Sequence, residues 1–163
     1  MTCFLIQSIE IQLSEMITMI VYVTLGSNNI ESAELFYSEF LLPLGYHLFT
    51  EGKGGLSCCL PKPSEMAPPL PDVYIKAPFN GKPGSAGNGQ MIAFEVPSQK
   101  NVRSFHSSAL KNGGMSEGEP GFRPSHGAHF YVEYLRDPDG NQIALFSKNL
   151  AEPSRDDCPS EKR

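Results

Sequence analysis

The sequence predicts an α+β fold in which two tandem βαβββ modules form a curved, cleft-enclosing mixed β-sheet with the helices outside. The first observation is an internal repeat, because an offset of 69 residues carries Tyr22 onto Met91 and Phe36 onto Phe105. Each copy has the pattern of a strand followed by a helix. The second is the composition, since 163 residues with 40% apolar content are enough for one domain with a substantial core. Repeated units usually pack against each other. We therefore expect that any binding or catalytic site lies where the two modules meet.

The predicted domain covers residues 20–148, with modules at about 20–80 and 88–148. Residues 1–19 are apolar, but they contain no Lys or Arg and are interrupted by Glu10 and Glu15. This pattern fits neither a signal peptide nor a membrane span. It leaves two alternatives open: an N-terminal extension that is frayed or forms an extra strand, or a segment that is part of the fold. Residues 149–163 are polar and predict a solvated C-terminal tail.

Charge and cysteine content narrow the classes of partner. The net charge is -5 and no Lys/Arg cluster is present, which argues against nucleic acid. The four cysteines have neither the spacing of a disulfide framework nor that of a zinc site. We therefore expect reduced thiols, a cytoplasmic setting, and no nucleic-acid or membrane partner.

The first module begins with a strand over residues 20–26, whose two faces differ. Val21, Val23 and Leu25 share one face, and Tyr22 and Thr24 share the other. A capping-box pattern of Asn28 with Glu31 then predicts a helix, which ends near a Pro and a Gly. Its apolar face consists of Ile30, Ala33, Phe36, Tyr37, Phe40, Leu41 and Leu44. Three short strands are predicted at 46–49, 56–60 and 73–77, with the proline-rich segment PKPSEMAPPLPD as a surface loop.

The second module repeats this pattern after the flexible segment GSAGNG. A strand at 91–96 precedes a helix that Ser98 can cap and that Gly113 and Gly114 close. The predicted core face of this helix is Val102, Phe105, Ala109 and Leu110. Strands at 129–136 and 142–146 are joined by DPDGN, which has the composition of a tight turn. The paired carboxylates Asp137 and Asp139 are therefore assigned to the turn rather than to acid/base chemistry.

Several motifs together resemble the vicinal oxygen chelate superfamily, which includes glyoxalase I, bleomycin-binding proteins, fosfomycin-resistance enzymes and extradiol dioxygenases. They are LG before the first helix, FY within it, PLGY after it, GNG before the fifth strand and DPDGN in the last hairpin. The resemblance covers about residues 20–148. It implies a divalent metal held in a cleft between the modules, with one ligand from the first and one from the last strand of each.

Carried onto this chain, the implied ligand positions lack suitable donor atoms. They fall on Tyr22, Met91 and Ala144, and near Tyr74. Neutral phenols, a thioether and a methyl group are poor ligands for divalent ions that prefer imidazole or carboxylate. We therefore expect no metal, no cofactor, and none of the metal-dependent chemistry that the resemblance would imply.

The remaining cleft suits a small-molecule ligand. Its predicted lining, taken from the strand faces opposite the helices, is Tyr22, Thr24, Tyr74, Met91, Tyr134, Gln142 and Ala144, with Phe146 as a further candidate. The leading hypothesis is metal-free binding of a small molecule. By resemblance, a homodimer is also expected, because family members often dimerise.

Two other classes of function stay open. One is an enzyme: a divergent metal-dependent lyase, isomerase or dioxygenase recruiting His129 and Glu133, or a metal-independent isomerase with Tyr22 or Tyr134 as acid. The other is a non-catalytic subunit whose cleft is filled by its own side chains.

Secondary candidates for the site are Arg123, His126 and His129. Arg123 and Arg136 could meet an anionic ligand or pair with surface carboxylates. His106 is predicted to be a half-exposed packing residue. Cys58 and Cys59 should point to opposite faces of a strand, without the basic neighbours that would activate a thiol.

Overall fold

The computed structural model describes residues 20–50, 54–62 and 71–158. The first module contains β1 (Tyr22–Gly26), α1 (Ile30–Leu41), β2 (His47–Thr50), β3 (Gly55–Cys59) and β4 (Asp72–Lys76). The second contains β5 (Met91–Glu95), α2 (Gln99–Lys111), β6 (Met115–Phe122), β7 (Tyr131–Arg136) and β8 (Gln142–Ser147), followed by a 3-10 turn at Arg155–Asp157. The expectations for residues 1–19, for most of the proline-rich loop and for residues 159–163 lie outside the described residues.

The strands form two four-stranded mixed sheets of the same order. The first is β1-β4-β3-β2 and the second is β5-β8-β7-β6, and in each the first pair is parallel while the others are antiparallel. The registers also correspond, because Tyr22 pairs with Asp72 as Met91 pairs with Gln142. The predicted α+β fold of two βαβββ modules is confirmed. The described strands form two separate hydrogen-bonded sheets rather than one continuous sheet.

Both helices begin at capped residues. In α1 the side chain of Asn29, rather than Asn28, accepts a hydrogen bond from the Ser32 amide at 3.1 Å. In α2 the predicted cap Ser98 accepts from the Asn101 amide, also at 3.1 Å. Each cap satisfies one of the amides that a helix start leaves without an intrahelical partner.

The two modules share one apolar core, and α1 lies at their junction. The Phe40 ring of α1 is 5.5 Å from the Phe94 ring of β5, measured between centroids. Gly114 lies so close to α1 that an added Cβ would be 2.6 Å from Cε2 of Phe36. The first helix therefore packs on its own module and on the second one.

The second helix departs from the repeat at its end. Phe105 is buried as predicted, but Leu110 is 38% exposed, because it lies at the edge of the buried stripe formed by Val102, Phe105 and Ala109. The glycine with positive φ after α2 is Gly113, at 88°. Gly114, which the offset pairs with Gly45, serves instead as the small residue beside α1.

The predicted solvated tail is wrong for residues 149–158. The Gln99 amide at the start of α2 donates to the Glu152 carboxylate at 2.8 Å, and the Gln99 side chain donates to the carbonyl of Pro153 at 2.7 Å. The Arg155 amide donates to the carbonyl of Ala128 at 2.8 Å. Cys158 is half-buried and packs on the core. This segment therefore belongs to the folded second module, since it supplies partners for backbone groups that would otherwise face water.

Candidate functional site

The face of each sheet opposite its helix carries the predicted cleft residues. In β8, Ile143 and Leu145 are buried core residues, so the alternating Gln142, Ala144 and Phe146 point the other way. Ala144 pairs with Tyr134 of β7, which lies on the same face. We call these two surfaces the helix-free face. The predicted lining residues belong to it: Tyr22, Thr24 and Tyr74 on the first sheet, and Met91, Tyr134, Gln142 and Ala144 on the second.

The edge strands β1 and β5 line common cavities. A cavity of about 270 Å³ is lined by residues of both modules, which include Thr24, Met91 and Gln142. A second, largely apolar cavity of about 490 Å³ lies along β5, and Val23 and Val73 contribute to its wall from the first sheet. The structure thus brings three of the predicted residues to one cavity at the junction of the modules.

The aromatic residues of the first sheet form a separate part of the helix-free face. The Tyr22 and Tyr74 rings meet edge to face with centroids 5.7 Å apart, and Lys76 Nζ is 4.6 Å from the centroid of Tyr74. Tyr22 is 61% exposed and Met91 is 47% exposed, so both offer apolar surface to solvent. Exposed aromatic and thioether groups suit contact with a ligand ring.

Ala144 is not accessible, in contrast to its predicted place in the lining. Its exposed fraction is 1%, because neighbouring side chains cover this small residue. Its position is nevertheless equivalent to that of Tyr74: Tyr74 pairs with Thr24, and Ala144 pairs with Ala93, each pair two residues beyond the start of its parallel ladder.

The side chains at the metal positions of the resembling family do not fit a divalent cation. Tyr22, Tyr74, Met91 and Ala144 provide two phenols, a thioether and a methyl group, without a carboxylate or an imidazole. Within the described ranges, no cluster of three or more His, Cys, Asp or Glu side chains is placed to hold a metal ion.

Glu133 cannot serve as the alternative cleft ligand. It pairs with Leu145 on the helix side of the second sheet, and its side chain is 0% exposed. It lies beside His106 of α2, with 3.8 Å between Oε2 and Nε2. The predicted recruitment of His129 with Glu133 in the cleft is therefore wrong, because the strand alternation turns Glu133 away from it.

This buried pair has shifted protonation equilibria. Burial, with a smaller contribution from Glu119, raises the pKa of Glu133 to about 9. Burial lowers the pKa of His106, and Glu119 opposes this effect. His106 is 4% exposed and not half-exposed as predicted. Both groups are therefore neutral near pH 7, and they form a polar cluster behind the second sheet.

The DPDGN turn does more than reverse the chain. Asp137 accepts from the amides of Asp139 and Asn141 at 3.0 and 2.8 Å, which confirms its turn chemistry. It also accepts from the Tyr37 hydroxyl of α1 at 2.8 Å. Burial and the Asp137 carboxylate raise the pKa of Tyr37 well above its usual value.

The same turn also holds the loop between β1 and α1. Asp139 accepts from the Ser27 hydroxyl at 2.5 Å and from the Asn28 amide at 2.9 Å. The Asn141 side chain donates to the carbonyl of Gly26 at 3.0 Å. Sequence reasoning missed these contacts between the modules. It also missed the contact of Tyr37 with Asp137, whose two partners lie in the FY and DPDGN motifs.

The secondary candidates are distributed over the second module. The His126 ring stacks on Phe130 at 4.7 Å, and Phe130 stacks on Phe146 at 4.9 Å. His129 is half-buried, and its Nδ1 atom has no hydrogen-bond partner among the described residues. Arg136 pairs with the carboxylate of Glu117.

The adjacent cysteines have opposite environments, as predicted. Cys58 is buried and Cys59 is partly exposed. Burial, with smaller effects of Cys59 and Glu34, raises the pKa of Cys58 to about 12. A thiol with this pKa is inert as a nucleophile at neutral pH.

Similar solved structures carry the same fold. No family model and no curated protein matches the sequence. A glyoxalase/bleomycin resistance protein from Albidiferax ferrireducens is 31% identical over 81% of this chain and 100% of its own, with a TM-score of 0.66. A glyoxalase-related enzyme from Fulvimarina pelagi is 17% identical over 80% of this chain and 88% of its own, with a TM-score of 0.60.

A lactoylglutathione lyase from Agrobacterium tumefaciens is 16% identical over 80% of this chain and 94% of its own, with a TM-score of 0.51, and it is similar in fold alone. No described helix is long and apolar enough to cross a membrane. The identity of 31% over the full length of the Albidiferax protein, together with the two βαβββ modules, leads to one conclusion. This chain belongs to the glyoxalase/bleomycin resistance protein family of the vicinal oxygen chelate superfamily.

Proposed function

We propose that the protein is a metal-free member of this family that binds a small molecule on the helix-free face between its modules. One observation carries the proposal. The scaffold is retained, while the positions that the resemblance assigns to metal ligands fall on Tyr22, Met91 and Ala144, and for the fourth near Tyr74. Replacing the hydration shell of a divalent ion requires charged or strongly donating ligands, and this set contains none.

The surface left in place of a metal site is apolar and partly exposed. Tyr22 rests against Tyr74 on the first sheet, and Met91 lies on the facing edge strand beside a cavity of about 270 Å³. A concave site of this kind binds through apolar contact and a few fixed polar groups. The natural ligand therefore contains a planar or apolar part small enough to enter between β1 and β5.

Two substitutions test the binding site. We expect Tyr22→Ala, which removes a wall, and Met91→Glu, which places a carboxylate on apolar surface, each to abolish binding of the aromatic compounds that stabilise the wild type in a thermal-shift screen. Ligand at a hundred times its dissociation constant stabilises the folded state by about 2.7 kcal/mol, which such a screen detects. Leu35→Ala is the control, because Leu35 is an exposed apolar residue of α1 outside this surface. Unchanged affinity in both test variants would place the site elsewhere.

A metal titration tests the other half of the proposal. After incubation with Zn²⁺, Ni²⁺ or Mn²⁺ and removal of free ion, the protein should retain far less than one equivalent per chain. Retention near one equivalent, lost in Tyr22→Phe, would refute the metal-free proposal and restore the enzyme hypothesis.

The proposal includes a cytoplasmic location, a homodimer and a domain covering residues 20–148 with an ordered C-terminal extension. Among the described residues, Cys58 and Cys158 are free thiols, which suits a reducing compartment. Exposed Ile20, Val21 and Tyr22 offer apolar surface at the start of β1. Light scattering of the purified protein distinguishes a dimer from a monomer.

A further inference from the structure

Arg123 places a positive charge on the helix-free face of the second sheet. Its guanidinium carbon lies 5.4 Å from the centroid of the Tyr134 ring. Tyr134 shares its face with Ala144, whereas the next residue, Glu133, lies on the other side against His106 of α2. Arg123 therefore lies over the cleft surface and not in the core.

Local hydrogen bonds hold the guanidinium in position. Arg123 Nη2 donates to the carbonyl of Glu119 at 2.7 Å, and Nη1 donates to the carbonyl of Phe122 at 3.2 Å. From the C-terminal segment, Arg155 Nη1 donates to the carbonyls of Pro124 and His126, each at 3.2 Å. Both the side chain and the loop that follows it are thus anchored.

Two glycines of β6 make room for this arrangement. A Cβ at Gly118 would lie 2.8 Å from Cδ2 of Tyr134 and 3.2 Å from Nη2 of Arg123. A Cβ at Gly121 would lie 3.2 Å from Nη1 of Arg123. The register shifts of β6 occur at these glycines, so the irregular strand accommodates the guanidinium stacked on the tyrosine.

The charge of Arg123 is not neutralised within the described part of the chain. Arg136 has Glu117 and Arg155 has Asp156 as carboxylate partners, but no described carboxylate lies within 4.0 Å of Arg123. Glu119 is near in sequence, yet its carboxylate accepts from Ser116 and lies 3.9 Å from Nδ1 of His106. The guanidinium therefore keeps N–H groups for a planar oxyanion.

An aromatic surface adjoins this cation. Phe146 lies two residues from Ala144 on the same face, and Phe130 and His126 continue the stack away from it. Lys148 Nζ is 5.0 Å from the centroid of Phe146 and adds a second positive charge nearby. A ligand with a ring and an anionic group matches both features.

We propose that Arg123 anchors an oxyanion of the bound ligand, which makes aromatic carboxylates the ligand class of this cleft. The inference rests on the proposed binding function and specifies it. The guanidinium receives the carboxylate in a bidentate contact, and the ring of the ligand rests against the apolar surface of the helix-free face.

The test uses benzoate, phenyl phosphate and neutral benzamide as probes. Their binding to the full chain is followed through the NMR signals of the arginine Nε–H groups, with Arg123 assigned by its loss in Arg123→Gln. We expect benzoate to shift the Arg123 signal and to bind at least tenfold more tightly than benzamide. Arg123→Gln should weaken benzoate at least tenfold, and Arg123→Lys should weaken it less, because the charge remains while the bidentate geometry is lost.

Arg103→Gln provides a matched control. Arg103 also lies 5.4 Å from a tyrosine ring, that of Tyr131, but it belongs to α2. This variant should bind benzoate as the wild type does. Phenyl phosphate could instead bind more tightly than benzoate, with Arg123→Gln weakening the binding of phenyl phosphate alone. In that case Arg123 is still the anchor, but the ligand is a phosphate, and the carboxylate assignment is overturned.

Other results separate this inference from the proposed function. Equal benzoate binding by wild type, Arg123→Gln and Arg123→Lys would overturn the anchor. So would the absence of a benzoate-induced shift at Arg123. If benzamide still binds to the wild type in that case, and Tyr22→Ala abolishes its binding, the small-molecule function stands without the anion anchor. If no probe and no screened compound binds, both proposals fall.

Discussion

The helices of the two modules occupy equivalent places in the repeat, but they are buried to different extents and by different residue types. The buried residues of α1 are apolar or aromatic, and they include Tyr37, whose hydroxyl is hydrogen-bonded to Asp137. α2 also buries the polar residues Gln99 and His106. The reason is position. Through Phe40 and Tyr37, α1 reaches β5 and the last hairpin of the second module. α2 covers its own sheet, receives the segment that follows β8 and contacts the first module at α1. A repeated sequence unit therefore produces the same local structure without producing the same environment.

The largest expected effect concerns the repeat-related phenylalanines. Phe36→Ala should lower the free energy of unfolding by about 3–5 kcal/mol, because its ring is fully buried between α1 and the second module. Phe105→Ala should lower the free energy of unfolding by about 3 kcal/mol, near the lower end of the same range, because the Phe105 side chain remains slightly exposed. Urea unfolding measures both values.

Leu110→Ala is the control for this pair, with a change of less than about 0.5 kcal/mol expected for an exposed side chain. A larger loss for Phe105→Ala than for Phe36→Ala would show that α2, and not α1, is the central helix.

A second difference between the modules is the buried acid behind the second sheet. The pKa of Glu133 rises from an ordinary 4.5 to about 9 in the folded state, so between these pH values the folded protein holds a proton that the unfolded chain has released. Stability should therefore fall as pH rises, by up to about 1.4 kcal/mol per pH unit from this group. Glu133→Gln should remove that part of the slope. Unfolding curves between pH 5 and pH 8 that have equal slopes in both proteins would contradict the assignment.

The smallest expected effect concerns the contact between α1 and the last hairpin. Tyr37→Phe removes the hydroxyl that donates to Asp137 but keeps the packed ring. The free energy of unfolding should fall by about 1.5–3 kcal/mol, which is the usual contribution of a hydrogen bond to a charged group. Its counterpart in the repeat is His106, whose partners lie within its own module. His106→Phe should therefore leave the coupling between modules unchanged. Chemical denaturation with Asp137→Asn as the second arm of a double-mutant cycle measures the coupling, and a value near zero would rule out the contact as a source of stability.

Much of the fold follows from local patterns in the sequence. The offset of Tyr22 to Met91 predicted two equivalent modules, and in the structure these residues pair with Asp72 and Gln142 at corresponding positions of two parallel ladders. Strand alternation placed Tyr134 opposite the helix side, and apolar spacing placed Phe36 and Phe105 in the core. These features depend on neighbours within a few residues or on the period of an element, which a sequence displays directly.

Other features depended on the packing of distant segments. Composition indicated that residues 149–158 are solvated, yet Glu152 and Arg155 find backbone partners at the start of α2 and near Ala128. The exposure of Leu110 and the burial of Ala144 depend on which side chains cover them.

The sequence by itself determined the two-module fold and the strand faces, because these follow from residue identity and periodicity. Only the tertiary structure decided that Asp137 bonds Tyr37, that Glu133 is buried beside His106 and that Arg123 lies over Tyr134. Each of these contacts joins residues that sheet pairing and module packing bring together. The pKa of a group and the partner of a charge depend on the surrounding side chains and not on the position of the residue in the chain.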